Sequence, residues 1–372
     1  MNPAQSKGSY ASAISLDELQ KLGPELIEAG HHAIDASHAL TYAPSRGSDE
    51  LRERVAEIHS GDATLTADHV VITQGSLMAN YLVLTTICGP GDHIICQYPT
   101  FGQLYLLPKF MGVDVTLWKA SEDKGWALDV DELATLVKPN TKAIVVNNPC
   151  NPTGFVLPRA DCERIIAIAR RSNLILISDE VFRPLFYEQS APPMVSLGYQ
   201  RTISTSSISK AYGLPGVRIG WVVTPDAELM KKFVTVKDYA INISRLDDGV
   251  ATFALQDTVR TRILARNIAL MKESISLVDG LVQRTGSQCS WTPAAGAGTA
   301  FVKILSKDGT PVDDVDFCER LVEREGISVI PGDHCFSEPA PGEFKGYVRI
   351  NLGEPQRLRA SLDALEAFIR QY

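Results

Sequence analysis

The stretch Ser207-Ile208-Ser209-Lys210-Ala211-Tyr212-Gly213-Leu214-Pro215-Gly216-Val217-Arg218-Ile219-Gly220 sets one amine between hydroxyls and a guanidinium. An amine in that setting condenses with an aldehyde. Arg218 and Ser207 offer an anion site if the aldehyde carries a phosphate. The segment is rich in Gly and Pro and lies between two apolar runs, so it reads as a turn joining strands. Such turns at the ends of strands in an α/β sheet are where cofactors bind.

Working outward, short Val- and Ile-rich runs recur at Val70–Gln74, His93–Gln97, Val113–Lys119, Lys142–Asn147, Leu174–Asp179, Thr202–Ser206 and Arg218–Thr224. Most are too short for helices and read as buried strands. Helical patterns separate several of them, for example Asp161–Arg171 with Cys162, Ile165, Ile168 and Ala169 on one side. Ser48 caps a further helix that carries Leu51, Val55 and Ile58 on one face. This alternation predicts a mainly parallel sheet covered on both sides. Residues 248–282 read as one long helix bridging two domains. Residues 283–372 mix strands (Ala300–Ile304, Ile327–Ile330, Tyr347–Asn351) with helices. The last helix starts near Pro355 and shows Leu358, Leu362, Leu365 and Ile369 on one face. The expected division is an arm with part of a small domain (1–41), a large domain (42–245), a connecting helix (246–282) and a small α+β domain (283–372).

The chain has 372 residues, a formal charge of −8 and 45% hydrophobic content, ordinary values for an enzyme of about two domains. No basic stretch interleaved with aromatics points to nucleic acid, and no long apolar window points to a membrane span or a signal peptide. Seven cysteines at irregular spacing, without a Cys-x-x-Cys pair, fit reduced thiols in a cytoplasmic protein. His31, His32 and His38 cluster without a third ligand at metal spacing. Neither a Gly-x-Ser-x-Gly elbow nor a Walker loop occurs, which argues against a hydrolase or a nucleotide enzyme. Trp118 in its apolar strand reads as core, and Cys150 as a small filler.

Pyridoxal phosphate needs an amine, an acid for its ring nitrogen, a surface for its ring and an anion site. Gly75-Ser76-Leu77 follows a strand and opens an apolar helix. It is either a plain Gly turn with a Ser cap or a helix N-terminus that takes phosphate. Asp179 ends a strand and is either a cap or salt-bridge partner, or the acid that keeps a pyridine nitrogen protonated. Asn148-Pro149-Cys150-Asn151-Pro152-Thr153-Gly154 is a polar turn straight after a strand; Asn151 can give its amide to a ring oxygen and a substrate carboxylate.

The ordered set Tyr42, Gly75-Ser76, Pro99-Thr100-Phe101, Asn151-Pro152-Thr153-Gly154, Asp179-Glu180, Ser207-x-Ser209-Lys210, Arg218-x-Gly220 and Arg349 resembles the class I/II aminotransferases. These are pyridoxal-phosphate enzymes of fold type I. The resemblance runs from about residue 40 to the C-terminus. It implies a seven-stranded large domain, a small domain, a homodimer with shared active sites, and transfer of an amino group from an L-amino acid to a 2-oxo acid. It gives Lys210 the cofactor imine and the proton transfer, and Asp179 the ring nitrogen. Ser76, Ser207, Arg218 and the amides of Gly75-Ser76-Leu77 take the phosphate. Phe101 takes the ring face, Asn151 the phenolic oxygen, Tyr42 the neighbouring subunit's phosphate, and Arg349 the substrate carboxylate. Ile330-Pro331-Gly332 and Phe336 resemble the turn that precedes that arginine.

Where the family usually has tyrosine, this chain has Phe182, which cannot donate to the ring oxygen; losing that bond costs about 1–3 kcal/mol. The change is either a tolerated variation or a sign that the enzyme cyclises, eliminates or oxidises instead. Phe101-Gly102-Gln103-Leu104-Tyr105 and Asp247-Asp248 are similar to the arginine-cyclising, capreomycidine-synthase-like branch. The two acids can read a basic substrate side chain, or simply favour a helix N-terminus. A catalytically silent regulator is a third reading, against which the intact Lys210, Asp179 and Arg218 speak.

Overall fold

The computed structural model describes residues 42–240, 242–338 and 342–372. The expected arm (1–41) and its three histidines lie outside these residues. A helix α1 (Asp49–His59), capped by the Ser48 hydroxyl, precedes β1 (Val70–Thr73). Then come α2 (Ser76–Ile87), β2 (His93–Tyr98), α3 (Gln103–Phe110), β3 (Asp114–Ser121), β4 (Ala127–Leu128) and α4 (Val130–Thr135). β5 (Thr141–Asn147), α5 (Arg159–Arg171), β6 (Ile175–Asp179), β7 (Thr202–Ser207) and β8 (Gly220–Val223) complete the first sheet.

Its order is β1-β8-β7-β6-β5-β2-β3-β4. β3, β2, β5, β6 and β7 run parallel, whereas β8 runs antiparallel to both β7 and β1. Seven of these strands match the apolar runs. The eighth, β4, is a two-residue antiparallel addition to β3 too short to leave a periodic signal. β2, β6 and β7 are buried along their whole length, as a sheet with helices on both faces requires.

Register explains why one edge of this sheet collects the polar residues. Asn147 lies opposite Asp179, and Asp179 opposite Thr205. Across the antiparallel pairs, Ser207 faces Gly220 and Gly220 faces Thr73. The turns that carry Asn151, Lys210, Arg218 and Gly75 therefore leave the sheet on the same side.

The helix expected over 248–282 is two: α6 (Ala227–Lys237) is followed by α7 (Arg245–Ala254) and α8 (Asp257–Thr285). No Pro causes the break. Leu255 is fully buried, and Gln256 takes an extended conformation that turns the chain as it enters α8. The second sheet has the order β11-β12-β10-β9, all antiparallel: β9 (Cys289–Trp291), β10 (Thr299–Ile304), β11 (Ile330–Pro331) and β12 (Tyr347–Asn351). The strand expected over Ile327–Ile330 shrinks to Ile330–Pro331, because only these two residues face β12. α9 (Asp314–Glu325), α10 (Gly332–Phe336) and α11 (Pro355–Ile369) cover it, with Leu358, Leu362, Leu365 and Ile369 of α11 all buried. Phe301, Phe336, Phe344 and Tyr347 pack into the same apolar cluster as Tyr98 and Leu104, so the two sheets share core.

Candidate active site

Gly75 has φ +81, which a side chain would strain, and it cannot cap α2. A Cβ there would lie 2.5 Å from Arg218 Nη2. A Cβ on Gly220 would lie 2.3 Å from the Gly75 carbonyl carbon and 2.6 Å from the Ser76 nitrogen. Backbone meets backbone here, and Arg218, itself left-handed at φ +56, lies over the turn. The first intrahelical bond of α2 runs from the Ala79 amide to the Gly75 carbonyl. The amides of Ser76, Leu77 and Met78 therefore precede the ladder and make an anion cradle beside a guanidinium.

Asp179 is 2% exposed at the end of β6. Asn80 Nδ2 donates to its Oδ2 over 2.9 Å, and the Val181 amide to its Oδ1 over 3.0 Å. Burial pushes this carboxyl up to about 6, against the two hydrogen bonds and the Lys210 charge, which pull it down. Lys210 moves the other way. Burial lowers its amine, helped by the Arg349 and Arg218 guanidiniums and opposed by Asp179. These four charged groups, from three separate segments (the end of β6, the turn between β7 and β8, and β12), thus share one electrostatic field.

Asn151 is buried; its amide donates to Asn147 Oδ1 over 2.7 Å, and its own Oδ1 accepts from Arg349 Nη1 over 3.0 Å. The Arg349 guanidinium lies 5.6 Å from the Phe336 ring centre. Ser207 Oγ, fully buried, accepts from the Ser209 amide over 3.2 Å. Phe101 lies just past β2 and is exposed. Phe182 is buried, and a Cβ on Gly298 would lie 3.4 Å from its ring edge. Cys150 is buried too, its thiol pushed up to about 11 chiefly by desolvation, which makes it a poor nucleophile. Trp118 is core, donating to the Asp129 carbonyl.

Tyr42, Arg218 and Asp247 line one open cavity of about 980 Å³ together with Gln74, Asn242 and Ser244. Asp248, expected beside the substrate, points elsewhere. It is buried, and its two oxygens accept from the Ser48 amide (2.9 Å) and the Ser48 hydroxyl (2.5 Å). It pins the start of α1 to α7. The acid pair splits because consecutive helical residues lie about 100° apart around the axis.

Asn80, Asn147 and Gln97 went unnoticed in the sequence. Asn147 Nδ2 donates to the Asp179 carbonyl, and Gln97 Oε1 accepts from the Asn147 amide. The available signal was Asn80 itself, a lone amide among Ala79, Leu82, Val83 and Leu84 on a strongly apolar helix.

The sequence matches the family Aminotransferase class I and II over residues 11–365. The chain belongs to this family. It is a pyridoxal-phosphate-dependent aminotransferase of fold type I. A solved PLP-dependent aminotransferase from Streptococcus suis is 33% identical, with a TM-score of 0.84 over 97% of this chain and 92% of that one. Tyrosine aminotransferase from Mus musculus is 28% identical, covering 90% of this chain and 74% of the relative. Capreomycidine synthase from Streptomyces vinaceus is 30% identical, covering 85% and 78%. Among the described residues of this aminotransferase, no helix is long and apolar enough to cross a membrane, and no group of side chains is arranged to hold a metal ion.

Proposed function

We propose that this aminotransferase works at the sheet edge between Lys210, Asp179 and the Gly75–Ser76 turn, moving an amino group from an L-amino acid to a 2-oxo acid. The residues suit the cofactor: a buried acid for the ring nitrogen, an amide cradle with Arg218 and Ser207 for the phosphate, and a desolvated amine for the aldehyde. When bound, pyridoxal phosphate supplies that aldehyde and a ring that draws electrons from the substrate's Cα. Asp179 holds a proton on the ring nitrogen. Phe101 covers the ring and Asn151 approaches its oxygen. Arg349 binds the substrate's carboxylate. Lys210 Nζ, uncharged when it acts, takes the proton from Cα and later returns it. The convergence of Lys210, Asp179, Arg218 and Arg349 at one sheet edge carries this reading, and burial beside the two guanidiniums favours the neutral amine, the form that can attack an aldehyde and accept a proton.

Asp247, half-buried on the wall that Arg218 and Tyr42 share, is the acid that would read a basic substrate side chain. Phe182 brings no hydroxyl to the site, and we take this as a variation within transamination. The division into 42–245, 246–282 and 283–372 is our reading, supported by two separate sheets. A homodimer with shared sites, Tyr42 reaching the partner's phosphate, is supported by exposed apolar pairs on packed helices: Leu77 with Tyr81 on α2, and Leu106 with Phe110 on α3. Seven unpaired thiols support a cytoplasmic setting.

The test is a half-reaction. The purified holoenzyme is mixed with single amino acids while spectrum, oxygen uptake and products are followed. Conversion of the cofactor to pyridoxamine phosphate, with arginine more effective than aspartate, is the expected result. Oxygen uptake or a cyclic product would overturn the transamination reading. Equal responses to arginine and aspartate would remove the role of Asp247.

A further inference from the structure

The Asp179 carboxylate has a built support outside the motif residues quoted above. Asn80, 2% exposed on α2, gives its amide to Asp179 Oδ2 over 2.9 Å. On its other side, Asn80 Oδ1 accepts from Thr205 Oγ1 over 2.5 Å. Thr205 is fully buried and stands opposite Asp179 in the register of β6 and β7. Gln103 closes the group: its Oε1 lies 3.4 Å from Asn80 Nδ2, and its Nε2 donates to the Leu77 carbonyl over 2.8 Å.

The donor and acceptor inventory orients this network. An ionised carboxylate only accepts, so the amide nitrogen must face Asp179 and the amide oxygen must face Thr205. The Thr205 hydroxyl then has to donate. If Asp179 were protonated, it could donate to a flipped amide instead, and this orientation would be lost. Each Asp179 oxygen takes one protein donor, Val181 on one and Asn80 on the other, which leaves capacity for a ring N–H.

We propose that Asn80, oriented by Thr205, is a positioning residue that fixes Asp179 as an acceptor-only carboxylate turned toward the cofactor's ring nitrogen. This rests on the site reading above. Other groups acting on Asp179 are Glu180 beside it, the Lys210 amine and the buried Cys150 thiol. Of these only Lys210 favours the ionised form, and its amine is itself lowered. The neutral amide therefore does work that a charge would do elsewhere. It also ties the acid to α2, whose first turn forms the phosphate cradle, so ring and phosphate sites are aligned through one helix.

The test uses the full chain with and without pyridoxal phosphate. Asn80→Leu is expected to weaken cofactor affinity about tenfold, the scale of one hydrogen bond to a charged group. The pH at which cofactor binding is half lost on acidification should move up, because Asp179 then ionises less readily. The rate constant for conversion of the bound cofactor by an amino acid should fall, with little change in amino-acid KM. Thr205→Val should shift affinity and pH profile in the same direction by less, and Thr205→Ser should restore both. An Asn80→Leu protein that is merely less stable, with affinity and pH profile unchanged, overturns the proposal. If Asn80→Leu does not fold, the Thr205 pair decides alone: no difference between Val and Ser overturns it. Asp179→Ala separates the two levels, since unchanged cofactor affinity there would remove the site reading itself.

Discussion

Arg349 Nη1 donates to Asn151 Oδ1 over 3.0 Å, although the two residues are 198 positions apart. One comes from the four-stranded sheet and the other from the turn after β5. The bond joins the two groups proposed above for the substrate's carboxylate and the cofactor's ring oxygen. With the Phe336 ring on another side, it sets the plane of the guanidinium before substrate arrives.

Arg349→Lys keeps the charge and loses that plane. The expected result is a rise in amino-acid KM of roughly ten- to a hundredfold, about 1–3 kcal/mol. Cofactor affinity should stay close to wild type. Steady-state kinetics beside a cofactor titration check both.

Gly220→Ala puts a methyl group where the Gly75 carbonyl carbon would lie 2.3 Å away. The atoms in the way are backbone, so β8 and the α2 turn must separate. Destabilisation of about 1–3 kcal/mol is expected, with a larger proportional loss of phosphate-dependent cofactor binding. Urea melts of the apoenzyme and equilibrium dialysis with pyridoxal phosphate and pyridoxal measure the two effects. Equal losses for both ligands would contradict a cradle at this turn.

The apoenzyme should carry a pH signature of Asp179. Its carboxyl is raised from 3.8 to about 6, chiefly by burial. A raised acid favours the fold fully below its unfolded value, and the contribution is lost as pH climbs through the folded value. In the apoenzyme, Asp179→Asn should therefore gain on wild type between about pH 4 and pH 7, by on the order of 3 kcal/mol. With pyridoxal phosphate bound, the order should reverse, because the ring N–H then needs the anion. Thermal melts across that range, with and without cofactor, give the sign directly.

Asp248 and Asp247 should separate cleanly. Asp248→Ala strips two acceptors from Ser48 and should cost about 2–3 kcal/mol of stability, leaving amino-acid preference unchanged. Asp247→Asn should leave stability within about 0.5 kcal/mol and lower the preference for arginine over aspartate. Chemical denaturation and relative kcat/KM values distinguish them. A change of preference in Asp248→Ala would place that acid at the substrate after all.

What the chain disclosed by itself was local. Strand ends at Asn147, Asp179 and Ser206, the turn glycine Gly75, and the Ser-x-x-Lys and Arg-x-Gly spacings are read from neighbours in sequence, because period and turn chemistry depend on a few adjacent residues. Tertiary structure decided what depends on contacts 99 to 200 positions apart: Asn80 on Asp179, Arg349 on Asn151, and Asp248 on Ser48 rather than on substrate. It also divided the expected long helix at Leu255 and Gln256, where the local sequence pattern gives no break. Short-range propensity says which element forms; only packing and register say which face of it meets which partner.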